Sequence, residues 1–222
     1  MHWIVGLCVL FLAAAAGFLL WRGQRRKRQL QFIQQYAFKR AYTQAIRPQF
    51  PEATEADFLL AEDALRQYFV MHWKAPLETL FMPSRLADAL WHEFLLDTRR
   101  YQLFCEQAFG PFFHHIPSES TQDSGTNLRR LYLRRTWNVA VASVPLMAPK
   151  VVLIGGVPLL FALDAHARLT EGYIYDASDF AYWHRMMRQN DSDGGGGGGG
   201  CGGSGGDSSS GDGGCGGGCG GD

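Results

Sequence analysis

Apolar and polar positions change rhythm several times along this chain. From Trp3 to Trp21 the run carries no charge at all. About 20 apolar residues at helical rise match the hydrocarbon thickness of a bilayer, and a tryptophan near each end suits the interface. The pattern therefore predicts a transmembrane anchor over residues 1–21. The cluster Arg22, Arg25, Arg26, Lys27 and Arg28 follows at once and defines a basic juxtamembrane segment over 22–29. Positive charge behind the apolar run, rather than before it, points to a retained anchor and not a cleaved signal peptide. It also sets an expected topology: single pass in the inner or plasma membrane, N-terminus outside, domain on the cytoplasmic side. Arg22–Arg28 would then contact anionic lipid.

Beyond the cluster the spacing becomes helical. Leu30 to Ile46 has no Gly or Pro and mixes Phe32, Ile33, Tyr36 and Ile46 with polar residues, which predicts one amphipathic helix ended by Pro48. Thr54 and Asp57 form a capping-box pattern with Asp in place of Glu, and a helix is expected from Glu55 to Lys74. His72 on that helix reads as a packing residue. Ser84 suits an N-cap, and Arg85 to Ala108 contains no breaker, so a single long helix is expected there, buried over most of its circumference. Gly110-Pro111 stops it, and Phe112 to Pro117 forms an aromatic loop.

A helix is expected from Leu128 to about Ala142. Val139 to Leu163 is apolar, but its prolines, Gly155-Gly156 and Lys150 favour a loop over a second membrane span. A short buried strand at Val151–Ile154 and a short buried segment at Leu159–Leu163 are expected within it. A last helix should begin at Ser178 and close a domain over 30–189. From Asn190 the composition collapses to Gly, Ser, Asp and Cys. A chain of that kind buries too little apolar surface to offset its ordering entropy, so 190–222 should be a disordered tail. The fold class is mainly α: a transmembrane helix, a helical globular domain and a glycine-rich tail.

Lys+Arg and Asp+Glu both number 21, for a formal net charge of +0. That balance removes any global electrostatic case for nucleic acid as a partner. Cysteine use (Cys8, Cys105, Cys201, Cys215, Cys219) does not outline a disulfide framework for the domain.

Met82 to Pro117 holds the densest aromatic, histidine and cysteine content, and a family likeness rests there. Trp91-His92, Leu96, Arg100-Tyr101, Cys105-Glu106 and Gly110 stand in one ungapped register. This stretch resembles the glycine-rich domain protein family, whose pattern reads roughly W-H-C-H-R-L-N-P-x-R-Y-x-x-D-C-E-x-x-Y-G. Phe109 stands where that pattern has tyrosine, Phe94 replaces its second histidine, and Asp97-Thr98 replaces Asn-Pro. The glycine-rich C-terminus is a second, compositional point of likeness. The resemblance implies a domain and carries no activity with it.

His92, Cys105, His114 and His115 are ligand types that transition metals accept, and Zn²⁺ would take four of them tetrahedrally. On one straight helix His92 and Cys105 point to different sides and stand about 20 Å apart in rise, so only a break between them would let both ligate one ion. WHEFL lacks the second histidine of the zinc-protease motif. Cys105 with a histidine would be a thiol–imidazole pair, but a cysteine between Phe104 and Ala108 reads as a small apolar residue. Phosphate-loop and dinucleotide patterns are lacking, so no catalytic or cofactor-binding residue is assigned. Two readings follow. The first is an interaction module that holds an unknown protein partner at the membrane surface, contacting it through Phe112 and Phe113. The alternative is a metal-binding protein, or an enzyme, built on His92, Cys105, His114 and His115.

Overall fold

A computed structural model describes residues 2–115, 126–147, 153–175, 178–182 and 185. The tail over 190–222, with its three cysteines, lies outside the described residues, as do Ile116 and Pro117 of the aromatic loop. The elements run α1 (His2–Gln35), α2 (Arg40–Ile46), a 3-10 turn (Arg47–Gln49), α3 (Glu55–Lys74), α4 (Arg85–Leu96), α5 (Thr98–Ala108), α6 (Thr126–Met147), β1 (Leu153–Ile154), β2 (Val157–Pro158) and α7 (Leu159–His166). The helical class expected from the sequence is what the chain adopts. Residues 178–182 are helical, where the last helix was expected.

The expected anchor is corrected. Among the described residues no helix is long and apolar enough to cross a membrane. A single-pass location in the inner or plasma membrane, with a cytoplasmic domain behind it, is therefore overturned. The reason is that Trp3–Trp21 is not an element of its own. It is the front of one helix of 34 residues that runs through the basic cluster and into the core. At its far end Ile33 is fully buried. In the basic turns the Arg26 guanidinium lies 4.5 Å from the centre of the Trp73 ring, and Arg26 donates to Trp73 O at 3.2 Å. Those turns meet protein.

α3 is the central helix, packed by α1, α4, α6 and α7. Its start is the predicted capping box: Asp57 N–H donates to Thr54 Oγ1 at 3.3 Å, and Thr54 N–H donates to Asp57 Oδ2 at 2.8 Å. Such a cap stabilises a helix by about 1 kcal/mol. Aromatic rings fill the space between α3 and its neighbours. Phe69, Phe94, Tyr101 and Phe104 are all buried, with Phe104 4.8 Å from Phe69 and 5.3 Å from Phe94 between ring centroids.

Three expectations about element boundaries change. The helix predicted over Leu30–Ile46 breaks between Gln35 and Arg40. There the Tyr36 carbonyl accepts from Arg66 Nε at 2.7 Å, while the Tyr36 and Phe38 rings turn into the aromatic cluster. The helix predicted over Arg85–Ala108 breaks at Asp97, whose ψ of 64° is not helical. The Asp97 carboxylate accepts from Tyr42 Oη at 2.7 Å and from Lys39 Nζ. Nor is this pair of helices buried on most of its circumference: Trp91, Phe94, Tyr101 and Cys105 are buried, but His92, Leu96, Arg99 and Leu103 face solvent.

The third change lies in the apolar stretch after α6. That helix runs on through Pro145 to Met147, and its late carbonyls at Ala142 and Leu146 accept from Lys74 Nζ and Gln34 Nε2. Leu153–Ile154 and Val157–Pro158 then pair as a tight antiparallel hairpin. Gly155 and Gly156 carry φ of +57° and +83°, which two-residue hairpin turns of this hand require. Of the strand expected over Val151–Ile154, Val151 and Val152 lie outside the described residues, and Leu153 is 42% exposed rather than buried. The segment from Leu159 is buried as expected and forms α7.

α7 fixes the start of α4 through Asp164, a buried carboxylate. It accepts from Ser84 Oγ at 2.6 Å, Arg85 N–H at 2.7 Å and Tyr173 N–H at 2.9 Å. A carboxylate at the positive end of a helix dipole is well placed electrostatically. The direction in which α4 leaves the core, and so the position of His92, depends on this contact.

Candidate metal centre

His92 sits on the solvent side of α4, one turn beyond Asp88. At helical rise, residues four apart stand one above the other on one face. His92 Nδ1 is 2.8 Å from the Asp88 carbonyl oxygen and 3.6 Å from Asp88 Oδ2. This pairing is local and follows from the helix alone.

The third member arrives from far along the chain. Gly110, at φ +98°, reverses the backbone after α5, and the aromatic loop folds back along α4. Tyr101 ties it down: its hydroxyl donates to Phe113 O at 2.6 Å and accepts from Trp91 Nε1 at 3.3 Å. The Trp91 ring then stacks on Phe113, with centroids 5.4 Å apart and planes 8° from parallel. The same indole meets the His115 ring edge-on at 4.2 Å. His115 is thereby pressed against α4, with Nε2 2.9 Å from Asp88 Oδ1 and its ring centroid 4.4 Å from that of His92. Its side chain is 6% exposed, against 51% for His92.

Asp88, His92 and His115 thus each offer a ligand atom within 4.8 Å of the other two. One carboxylate and two imidazoles suit Zn²⁺ and the other transition metals that bind nitrogen and oxygen donors. The exposure of His92 leaves that side open to water.

The four sequence candidates part company here. His92 and His115 come together; Cys105 and His114 do not join them. Cys105 is fully buried on the inner side of α5, where burial pushes its thiol pKa up, away from the thiolate a metal would take. The break at Asp97 does not bring it to His92. His114 is exposed, its ring 4.9 Å from Phe112. Phe113 packs inward among Trp91, His72 and Phe109, while Phe112 is 48% exposed. Sequence reasoning missed Asp88. The signal was present in DALWH: an acid four residues before a histidine on a predicted helix.

His72 is the contrasting histidine of this region. It is buried between Tyr68 and Phe113, with ring centroids at 4.6 and 4.3 Å, and its Nε2 has no partner. Loss of solvation pushes its pKa down to about 3.

No curated protein and no solved structure matches the chain. A family match covers residues 28–194, which include every residue of the centre and the whole of the stretch likened above to the glycine-rich domain proteins. The chain belongs to the UCP032817-like family.

Proposed function

We propose that this domain binds one divalent transition-metal ion through Asp88, His92 and His115. The observation that carries the reading is the convergence of three ligand atoms within 4.8 Å, two from one helical turn and one from a loop clamped by Tyr101 and Trp91. Three protein ligands with the remaining positions open to solvent are the arrangement of sites that hold a water molecule on the metal. A metal held there would supply a Lewis acid and would lower the pKa of a bound water. The chain's own part is to fix the donors. Asp88 anchors both imidazoles, and Trp91 sets the plane of His115.

Cobalt titration of the full chain tests this, because Co²⁺ substitutes for Zn²⁺ and absorbs in the visible. One equivalent should bind. The three tail cysteines are changed to serine in every protein compared, so that thiolate binding is not read as the site. Asp88→Asn, His92→Ala and His115→Ala should each weaken binding at least ~100-fold, while His114→Ala leaves it unchanged. No binding, or binding that those three substitutions do not alter, would overturn the proposal.

A further inference from the structure

α1 and the aromatic loop also enclose a cleft of ≈ 740 Å³, lined by none of the three ligands. Its walls are aromatic: Trp21 on α1, Trp73 at the end of α3, and Phe112 and Phe113 on the loop. Its polar lining is one-signed. Arg22, Arg25 and Arg26 face it from consecutive turns of α1, and no Asp or Glu lines it. Among the described residues, no carboxylate pairs with any of these arginines.

The guanidiniums are instead held against rings. Arg26 lies over Trp73, and Arg25 stands 5.7 Å from the centre of the Trp21 ring. Arg25 also passes so close to Gly110 that a Cβ there would sit 3.3 Å from its Nη2. The turn glycine therefore lets the loop reverse and also leaves room for the arginine. Two further polar atoms in residues that line the cleft lack a partner: His72 Nε2 and Trp73 Nε1, both buried. A buried donor or acceptor left unmatched is costly, so a site with two of them beside cations that no carboxylate pairs is incomplete by itself.

We propose that this cleft binds a small organic anion with a flat aromatic body, an aryl carboxylate or its like. The anionic group meets Arg22 and Arg25, whose planar forks suit a carboxylate, and the ring body lies between Trp21, Trp73 and Phe112. The volume falls within the range of small-molecule sites, and aromatic walls with a few converging polar groups are their usual lining. The cleft shares none of the three ligand residues of the metal centre.

The probe pair is anilinonaphthalene sulfonate and neutral phenylnaphthylamine, which share a ring body and differ in charge. Both are titrated by fluorescence into the full chain. The anion should bind one-to-one, at least ~10-fold more tightly than the neutral probe, and weaken as salt is added. Arg22→Gln with Arg25→Gln should bring it down to the neutral probe's affinity. Both side chains are exposed, so the melting temperature and the cobalt titration should not move. Equal binding of the two probes, non-saturating binding, or a double variant that still prefers the anion would overturn the proposal. Because cobalt binding is read on the same samples, failure here is distinguishable from failure of the metal centre.

Discussion

His72 packs on the Phe113 ring and His115 on the Trp91 ring, Trp91 and Phe113 stack on each other, and both histidine side chains are withdrawn from water. Yet they are chemically different residues. His72 faces Tyr68 and Phe113, has an unmatched Nε2, and is held neutral by its surroundings. His115 meets a carboxylate at 2.9 Å and a second imidazole beside it. Burial alone therefore does not set what a histidine can do. What decides is the group opposite the ring, and here that group is Asp88, contributed by a helix whose direction Asp164 sets.

The comparison breaks most completely at Trp91. Trp91 touches Phe69, Tyr68, Phe113 and His115 and is 1% exposed. Trp91→Ala should destabilise the fold by about 4 kcal/mol and abolish cobalt binding, because His115 loses the surface it rests on. Chemical denaturation and the titration read the two effects. Lost stability with intact cobalt binding would show that His115 holds its place without the indole.

His72 sharpens the contrast through pH. Its folded pKa is pushed down to about 3, against an ordinary value of 6.5. The unfolded chain therefore binds the extra proton between those values, and stability is full above pH 6.5 and falls as the pH drops toward 3. At pH 5 the loss from this group alone should be about 2 kcal/mol. His72→Leu should remove that part of the slope, whatever constant repacking penalty it carries. An unchanged slope between pH 7 and pH 5 would mean that the ring finds a proton partner when charged.

The smallest effect is expected at Tyr101. Tyr101→Phe keeps the ring but deletes the bond to Phe113 O and the acceptor for Trp91 Nε1. Stability should fall by about 1 kcal/mol and cobalt affinity by about 10-fold, as outer-shell partners do. Unaltered affinity would mean that stacking on Trp91 alone positions the loop.

Much of the fold was legible before any coordinates. The capping box at Thr54 and Asp57 involves residues three apart, and local geometry alone specifies it. The break at Asp97 was hinted at more faintly. In the pattern this stretch resembles, Asn-Pro stands at 97–98, and proline suits the first turn of a new helix better than the middle of an old one. The chain's own Asp97-Thr98 carries no such mark, and a continuous helix was the natural expectation. The apolar run at Trp3–Trp21 misled for a related reason. A window of hydrophobicity cannot show that the helix continues through the arginines, nor that two of them lie over tryptophan rings.

The sequence by itself determined the helix-forming stretches, though not their breaks, together with the caps, the turn glycines and the pair Asp88–His92, because each depends on residues within a turn or two of one another. Only the tertiary structure decided which histidine joined that pair. His115 reaches Asp88 through the reversal at Gly110, the Tyr101 tether and the Trp91 surface. Tertiary packing likewise sent Cys105 inward and set Asp164 against Ser84, the N-cap of α4, and the N–H of Arg85. Contacts of that kind join residues whose separation along the chain carries no periodic signal, so they exist only once the core has packed.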